Sequence, residues 1–317
     1  MDNPVYLDSK LRDWLLMGDV SIQYQTHRDL LDTVKPELKQ KITTQGWGAQ
    51  LLARRGENGH WGQKFYQPKW TSSHYTLLDL KNLAIPPNKE IQETITKILT
   101  DNMGSDGGVN PSKTIKASDV CINGMFINYA AYFQIPEEKL NSIIDFLISV
   151  QMKDGGFNCR SNRGGAVHSS LHSTISVLEG FHEYERCGYG YRVDELKKIT
   201  PQAIEFILQH KLYRSDHTNK IIDKKMLMLS YPSRWKYDIL RALDYFQKAK
   251  IPYDPRMSDA IGVLMKKRRK NGKWPVQARH AGKTHFEMEK TGKPSRWNTL
   301  RALRVLKHFK IHQQDLK

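Results

Sequence analysis

Two identical Pro-Ser-Arg-Trp tetrapeptides, at residues 232–235 and 294–297, each place an arginine beside a tryptophan. A guanidinium group binds carboxylates and phosphates through paired hydrogen bonds, and an indole ring attracts a cation to its face. An apolar segment containing Arg-Ala-Leu follows both tetrapeptides, so each is expected to precede a helix. Ion pairing of either arginine with a neighbouring Asp or Glu is the structural alternative. The sequence therefore predicts ligand-binding roles for four residues: Arg234, Trp235, Arg296 and Trp297.

Both tetrapeptides fall within a repeat that runs along the chain. Its clearest copy is the turn Asp-Gly-Gly-Phe at residues 154–157, which follows an apolar segment that ends in Gln151. Residues 105–110 carry the same Asp-Gly-Gly turn, and Asn-Gly at 58–59 and 271–272 begins weaker copies. The first three copies recur about every 50 residues, which leaves room for two helices and two loops. The repeat therefore predicts stacked helical hairpins.

Helical periodicity and end signals give the bounds of six hairpins. The outer helices are predicted near residues 8–17, 36–54, 88–103, 137–152, 194–210 and 254–270, and the inner helices start near Ser21, Ser72, Ser118, Ser170, Arg234 and Arg296. The first and last inner helices keep apolar faces where an open solenoid would need polar caps. We therefore expect an all-α ring, an α/α toroid of two concentric layers that occupies residues 1–317 as a single domain.

Parallel inner helices would bring all six of their N-termini to one mouth of the ring. Helix N-termini carry partial positive charge and unpaired N–H groups, so this mouth favours an anion such as a diphosphate or a carboxylate. The alternative role for the aromatic residues at this mouth is packing between hairpins, because a ring of twelve helices needs bulky side chains there. Besides the four residues above, the sequence places five more candidate ligand-binding residues at this mouth: His74, Trp70, His168, Tyr237 and Asp238.

The repeat resembles that of terpenoid cyclases and protein prenyltransferase β subunits, which are α/α toroids. Their motif joins an apolar helical end to a Gln, an Asp-Gly turn and an aromatic residue. Residues 146–157 match this motif, with Phe157 where Trp is usual, whereas Trp61 and Trp274 match only its Gly-x-Trp part. The resemblance implies an isoprenoid-handling enzyme that binds an amphipathic anionic ligand, such as a prenyl diphosphate, inside the ring.

The two branches of this family differ in their catalytic residues. Cyclases of the squalene–hopene type protonate an alkene with an Asp-x-Asp-Asp cluster, which this sequence lacks, so that chemistry is disfavoured. Protein prenyltransferases bind Zn²⁺ through an Asp-x-Cys pair and a His on the next inner helix, and they act with a helical partner subunit. The resemblance implies a zinc site of Asp119, Cys121 and His172. Counted back from Gly180, however, the family's His falls on Ser173, and a role as polar core residues is the alternative.

Charge and composition admit two further classes of function. The formal net charge of +17 favours an anionic partner, but lysines scattered over a solvated surface explain it at least as well. Residues 266–270 form the one basic block, so nucleic-acid binding ranks below the isoprenoid hypothesis and below a non-catalytic module for a glycan, peptide or lipid. The three cysteines lack CxxC spacing and no apolar run reaches about 20 residues, so we expect a cytoplasmic protein without a membrane span.

Overall fold

The computed structural model describes residues 7–112, 114–160 and 164–311. These residues are helical apart from the loops and one antiparallel pair of two-residue strands, which confirms the all-α prediction. In chain order the elements are α1 (Ser9–Leu16), α2 (Val20–Leu30), α3 (Pro36–Lys41), α4 (Gly46–Leu52), α5 (Ser73–Asn82), α6 (Lys89–Asn102), α7 (Val120–Tyr132), α8 (Asn141–Ser149), α9 (Leu171–Arg186), α10 (Val193–Gln209), α11 (Ile239–Lys248), α12 (Ser258–Lys266), β1 (Trp274–Pro275), β2 (Pro294–Ser295) and α13 (Arg296–Phe309).

The helices form two layers that differ in how much of each helix is buried. The outer helix α6 buries Ile91, Ile95 and Ile98 at helical spacing and leaves its opposite face to solvent. The inner helix α7 buries nearly every residue from Val120 to Ala131, because it packs against both the outer layer and its neighbours in the ring. The inner layer therefore carries most of the core, and its side chains surround the ring's centre.

The six inner helices form a closed ring, because each contacts the next and the last contacts the first. Closure is made between α13 and α2, where Arg304 Nη1 lies 2.9 Å from Asp29 Oδ2. The predicted toroid is therefore confirmed. The other contacts are Gln25 Nε2 to the Asn82 carbonyl at 2.9 Å (α2 to α5), His74 Nδ1 to Tyr129 Oη at 3.2 Å (α5 to α7), Gly124 against the Ser176 carbonyl (α7 to α9), Arg241 Nη2 to Ser176 Oγ at 3.2 Å (α9 to α11) and Arg304 Nε to Asp244 Oδ1 at 2.6 Å (α11 to α13).

The repeated glycine turns attach the outer layer to the inner helices. In four copies the backbone N–H after the turn donates to a polar side chain near the start of the following inner helix. A buried N–H needs such a partner, so these side chains explain why the turns and the helix starts keep one register. The four bonds are Trp61 N to Ser73 Oγ at 3.0 Å, Val109 N to Asn123 Oδ1 at 2.6 Å, Phe157 N to Thr174 Oγ1 at 3.0 Å and Trp274 N to Thr299 Oγ1 at 3.0 Å.

The two Pro-Ser-Arg-Trp tetrapeptides adopt different structures. The second begins α13 as predicted, because Ser295 Oγ accepts from the backbone N–H of Asn298 at 2.8 Å and caps the helix. The predicted start of the fifth inner helix near Arg234 is wrong, since α11 begins at Ile239 behind the cap residue Asp238. Arg234 has a φ of 58°, a left-handed conformation that cannot continue a right-handed helix.

The close contact between α7 and α9 predicts the effect of adding a single methyl group at Gly124. A Cβ on Gly124 of α7 would lie 2.6 Å from the Ser176 carbonyl of α9, so the two backbones would have to separate. We expect Gly124→Ala to lower the free energy of unfolding by about 1–3 kcal/mol, although alanine itself favours a helix.

Gly262→Ala is the matched control for this substitution. Gly262 also lies within a helix, but a Cβ there would meet nothing within 4 Å. We expect this variant to gain about 0.5–1 kcal/mol, because alanine loses less conformational entropy than glycine on folding. Urea unfolding of both proteins measures the two effects, and equal stability of the two variants would contradict the close approach of α7 and α9.

Candidate functional site

Two long connections, residues 210–238 between α10 and α11 and residues 267–295 between α12 and α13, cover the mouth of the ring at which the inner helices start. His285 Nε2 lies 2.9 Å from Thr76 Oγ1 in the first turn of α5, and Trp70 Nε1 donates to the Ala281 carbonyl at 2.6 Å. The two loops also contact each other, since His280 Nε2 lies 3.1 Å from the Ser233 carbonyl. This mouth, where the sequence placed the ligand, is therefore filled by the protein's own side chains.

A central cavity of about 540 Å³ lies on the other side of this cover, towards the C-terminal ends of the inner helices. Residues 231–234 form its floor, and every inner helix contributes to its wall. The volume is within the range of sites that bind small molecules. The cavity is therefore the strongest candidate for a ligand site, at the opposite end of the ring from the one that the sequence indicated.

Cations outnumber carboxylates in the lining of this cavity. Among the described residues, nine Lys and Arg face five Asp and Glu, which leaves a surplus of four positive charges. His182 adds no charge at neutral pH, because burial lowers its pKa to about 4. The cations are Arg28, Lys39, Lys81, Arg186, Arg234, Arg241, Lys248, Arg301 and Arg304, and the carboxylates are Asp29, Asp79, Glu179, Glu183 and Asp244.

Asp244 is the centre of the largest group of ion pairs in the cavity wall. Its carboxylate lies 2.6 Å from Arg304 Nε, 3.3 Å from Arg301 Nε and 3.2 Å from Lys248 Nζ. The Asp244, Arg301 and Arg304 side chains are each less than a tenth exposed. Burial disfavours the charged carboxylate, but the three cations together hold the pKa of Asp244 well below its ordinary value. This group joins α11 to α13 and stays charged in the folded protein.

Two glutamates of α9 hold a second group of cations. Glu183 lies 3.2 Å from Lys81 Nζ and accepts a hydrogen bond from Arg186. Burial opposes its ionisation, but Lys81 and Arg186 lower its pKa to about 2. Glu179 lies 2.7 Å from Arg241 Nη2, which keeps its pKa below the usual value despite burial. Each glutamate therefore contributes a fixed negative charge beside the surplus of cations.

Arg234 crosses the ring instead of facing its mouth. Its Nη1 atom lies 2.6 Å from Asp79 Oδ2, and both side chains are 6% exposed. The ion pair that was the structural alternative for this residue thus exists, but its partner is on α5, across the ring from α11 and not on a neighbouring hairpin. The guanidinium carbon also lies 5.7 Å from the ring centres of Trp70 and Tyr75. Burial outweighs the arginine and raises the pKa of Asp79, so this carboxylate takes up a proton more readily than an exposed aspartate.

Of the nine predicted ligand-binding residues, Arg234 and Trp297 lie in the described lining of the cavity. Trp297 is 4% exposed, and its ring centre is 5.0 Å from that of Tyr231 in the floor. Arg296 points away from the cavity, because its Nε atom donates to the Trp14 carbonyl at 2.8 Å in the outer layer. His168 is exposed on the loop before α9.

The remaining predicted ligand-binding residues pack near the covered mouth. His74 is fully buried between aromatic rings, and burial lowers its pKa to about 3. Trp70 packs on Tyr75 with the ring centres 4.8 Å apart. Asp238 is the cap of α11, accepting from the Arg241 N–H at 2.8 Å. The last two members of this set contact His172: Trp235 through its ring at 5.2 Å and Tyr237 through its backbone N–H at 2.8 Å.

Two of the three predicted zinc ligands, Cys121 and His172, occupy the same position on consecutive inner helices. Each is the second residue of its helix, as His74 is of α5, and the third ligand, Asp119, precedes α7. His172 Nδ1 accepts from Tyr237 N, and burial lowers the His172 pKa to about 4, so its imidazole is neutral. Within residues 7–112, 114–160 and 164–311, no three His, Cys, Asp or Glu side chains come close enough to hold a metal ion. The zinc site stays a prediction from the sequence.

Sequence reasoning missed the residues that dominate the cavity. Arg301 and Arg304 lie three positions apart on α13, among the apolar residues Leu300, Leu303 and Leu306, and Arg241 holds a similar position on α11. This spacing places the arginines on the buried face of an inner helix. It predicts ion pairs there, because charged residues are buried mainly when they are paired. Their carboxylate partners lie on other helices and required the structure.

Two predictions about the surface concern the basic block and a membrane span. Within residues 266–270, Arg268 lies over the Trp274 ring at 5.6 Å and Arg269 donates to the Gly292 carbonyl at 2.6 Å, so part of the block is engaged in local packing.

None of the described helices combines the length and the apolar composition needed to cross a bilayer.

Comparisons with known proteins give a distant likeness. No protein-family model matches this sequence, and no curated protein matches it. A variant of the type II terpene cyclase MstE from Scytonema, in complex with its substrate geranylgeranyl dihydroxybenzoate, is 13% identical over 91% of this chain and 86% of that chain, with a TM-score of 0.46. The apo enzyme is 13% identical over 81% of this chain and 94% of that chain, with a TM-score of 0.32. At this distance the likeness identifies neither an activity nor a ligand of this chain.

Proposed function

We propose that the central cavity binds a small ligand that carries two or more negative charges, such as a diphosphate. The observation that carries this proposal is the surplus of four positive charges around a cavity of about 540 Å³. Clefts lined by one sign of charge concentrate ligands of the opposite sign. Lys81, Arg186 and Lys248 stand in or near the last turns of their helices, where a bound anion would meet them first.

A prenyl diphosphate is the amphipathic form of this ligand that the sequence predicts. The cationic wall supports binding of its diphosphate group. Its hydrocarbon tail would meet the aromatic part of the lining, which is made of Tyr24, Tyr132, Tyr231, Tyr245 and Trp297. Zinc-assisted prenyl transfer and a helical partner subunit are the finer forms of the hypothesis, and both rest on the family resemblance.

Ligand binding without catalysis is the second candidate function. The ion pairing of the cavity carboxylates favours it over acid catalysis. Among the described lining residues, each of the five carboxylates is ion-paired with an arginine or a lysine. A carboxylate held ionised by such partners is a poor proton donor at neutral pH. Among the carboxylates in the described lining, Asp79 alone has a pKa shifted in the direction that acid catalysis requires, because burial raises it.

Isothermal titration with inorganic pyrophosphate and with geranyl diphosphate tests the proposal. We expect both to bind, and to bind more weakly as salt is raised, because ions screen the cations of the lining. Burial of each methylene contributes about 0.8 kcal/mol, so an isoprenoid site should bind geranyl diphosphate more than about tenfold more tightly than pyrophosphate. Equal affinities would reject the isoprenoid form and keep the anion site. Absence of binding by either compound at low salt would contradict the proposed function.

A further inference from the structure

The net charge of the chain is concentrated at one end of the ring. The two long connections of the covered mouth, residues 210–238 and 267–295, are less than a fifth of the chain but hold 16 Lys and Arg against five Asp and Glu. They therefore carry 11 of the 17 net positive charges. The five connections at the other end, which lead from inner helices to outer helices, hold five cations against four carboxylates. The surplus thus belongs to the covered-mouth end and is not spread evenly over the surface.

Most of the lysines in these two connections are available to a partner. Seven of them are exposed, and none has an ion pair with a carboxylate that the structure describes. The arginines of the same connections are engaged by the protein instead: Arg214 Nε lies 3.0 Å from Asp259 Oδ2, and Arg279 Nη1 lies 3.1 Å from Glu287 Oε1. The seven exposed lysines are Lys220, Lys224, Lys225, Lys270, Lys283, Lys290 and Lys293.

Large apolar side chains are exposed at the same end of the ring. Of the eight that are exposed in the described part of the chain, six lie on connections that lead from an outer helix to an inner helix. Those connections all end at the covered mouth, because every inner helix starts there. The six are Met17, Met103, Ile115, Val167, Ile221 and Ile222.

A hairpin brings two of these apolar side chains between lysines. Residues 213–222 fold back on themselves, and the Ile222 N–H donates to the Tyr213 carbonyl at 3.0 Å. Tyr213 is buried, so the base of the hairpin is anchored in the protein, but Ile221 and Ile222 are 40% and 45% exposed. Three exposed lysines flank the two isoleucines in residues 220–225: Lys220, Lys224 and Lys225.

We propose that the covered-mouth end of the ring docks on a bilayer that contains anionic phospholipids. The lysines attract the negative headgroups, and Ile221 and Ile222 insert at the boundary between headgroups and acyl chains. Binding to such a surface strengthens with the apolar area buried and with each cation near the anionic lipids. The central cavity lies towards the opposite end of the ring, so a docked protein holds its cavity away from the bilayer.

A nucleic acid is the other polyanion that a basic surface attracts, but the side chains present favour a bilayer. Arginine is the preferred residue for paired hydrogen bonds to phosphate, and aromatic rings stack on bases. At the covered-mouth end the unpaired exposed cations are lysines, and the six exposed apolar side chains are aliphatic. Aliphatic groups gain free energy when they leave water for hydrocarbon, and they offer no ring for a base to stack on.

Co-sedimentation of the full chain with vesicles of phosphatidylcholine that contain about 30% phosphatidylserine tests the proposal. We expect the protein to sediment with these vesicles and to remain in solution with vesicles of pure phosphatidylcholine. Binding should weaken as the ionic strength rises from about 0.1 M to 1 M, because the Debye length falls from about 10 Å to 3 Å. The assay contains no ligand for the cavity, so its outcome is separate from that of the proposed function.

Two variants of the hairpin separate the two contributions. Lys220→Gln with Lys224→Gln and Lys225→Gln should weaken vesicle binding by about 100-fold, since each lysine near an anionic surface contributes about fivefold. Ile221→Ser with Ile222→Ser should weaken it by more than about tenfold, because the inserted hydrocarbon is lost. The hydrogen bonds of the hairpin are made by its backbone, so both variants keep it.

Three lysines at the other end of the ring give the matched control. Lys89, Lys139 and Lys250 are exposed at or near the ends of connections that lead to outer helices. Replacing all three by Gln should leave vesicle affinity within about threefold of wild type, because charges beyond about 10 Å are largely screened.

Three results would overturn the proposal. One is wild-type protein that does not sediment with the phosphatidylserine vesicles at an ionic strength of about 0.1 M. Another is a loss of affinity in the control that equals the loss in the hairpin lysine variant. The third is an isoleucine variant that binds vesicles as tightly as wild type, which would leave a purely electrostatic surface of the kind that binds nucleic acid.

Discussion

Asp244→Asn is expected to lower the free energy of unfolding by about 3–5 kcal/mol, a larger loss than that expected for Gly124→Ala. The asparagine keeps the shape of the side chain but removes the negative charge that Arg301, Arg304 and Lys248 share. Arg301 and Arg304 are buried, so the loss leaves their charges with too little compensation in a region that water reaches poorly. Urea unfolding of the variant and the wild type measures the difference.

Asp101→Asn is the control for this substitution. Asp101 pairs with Lys97 at 2.9 Å on the outer helix α6, and both side chains are 45% exposed. An exposed pair of this kind contributes about 0–1 kcal/mol, because water and salt screen it. Similar losses in the two variants would show that the Asp244 group is solvated like a surface pair and would contradict the buried network.

The same network makes stability depend on pH in a defined direction. The folded-state pKa of Asp244 is depressed below its ordinary value of about 3.9, so its contribution is complete above that pH. Below about pH 4 the unfolded chain binds the proton first, and stability falls by about 1.4 kcal/mol per pH unit for this group. Glu183, with its pKa lowered to about 2, acts in the same sense. The difference in stability between wild type and Asp244→Asn should therefore shrink as the pH falls from 4 to 3.

Removing two cavity lysines should weaken pyrophosphate binding by about 100-fold without unfolding the protein. The variant is Lys81→Gln with Lys248→Gln. After the change Glu183 keeps Arg186, and Asp244 keeps Arg301 and Arg304, so no carboxylate loses its last partner. Each lost charge is expected to cost about 1.4 kcal/mol of binding, a factor of ten, in a partly screened site. Titration calorimetry at an ionic strength of about 0.1 M, where the Debye length is about 10 Å, measures the change.

Lys89→Gln with Lys266→Gln removes the same charge from the outer surface. Lys89 is 90% exposed at the start of α6, and Lys266 is an exposed last residue of α12, just as Lys248 is the last residue of α11. We expect pyrophosphate affinity to stay within about threefold of wild type, because charges beyond about 10 Å are largely screened. A loss equal to that of the cavity variant would mean that the bulk charge of the chain, and not the cavity, attracts the anion.

The repeat made the ring readable from the sequence. Its turn residues fixed the register so closely that His74, Cys121 and His172 each fall on the second position of an inner helix. Local signals of this kind suffice because each turn bonds to the inner helix that follows it, as Phe157 does to Thr174. Capping, period and turn chemistry are short-range properties, and short-range properties are visible in one sequence.

The cavity could not be predicted in the same way, because it depends on pairs of residues distant in the chain. Arg234 illustrates this: the same tetrapeptide that starts α13 forms a loop before α11, since Asp238 caps that helix and Asp79 draws the arginine across the ring. The sequence could indicate an ion pair for Arg234 but not its partner. The covered mouth depends likewise on contacts such as Trp70 to Ala281.

The most direct test of the central claim is a crystal structure of the protein with inorganic pyrophosphate. We expect a diphosphate in the central cavity, with its oxygens within hydrogen-bond distance of at least two of Lys81, Lys248 and Arg304, and the covered mouth unchanged. Pyrophosphate bound only on the outer surface, beside an empty cavity, would contradict the claim.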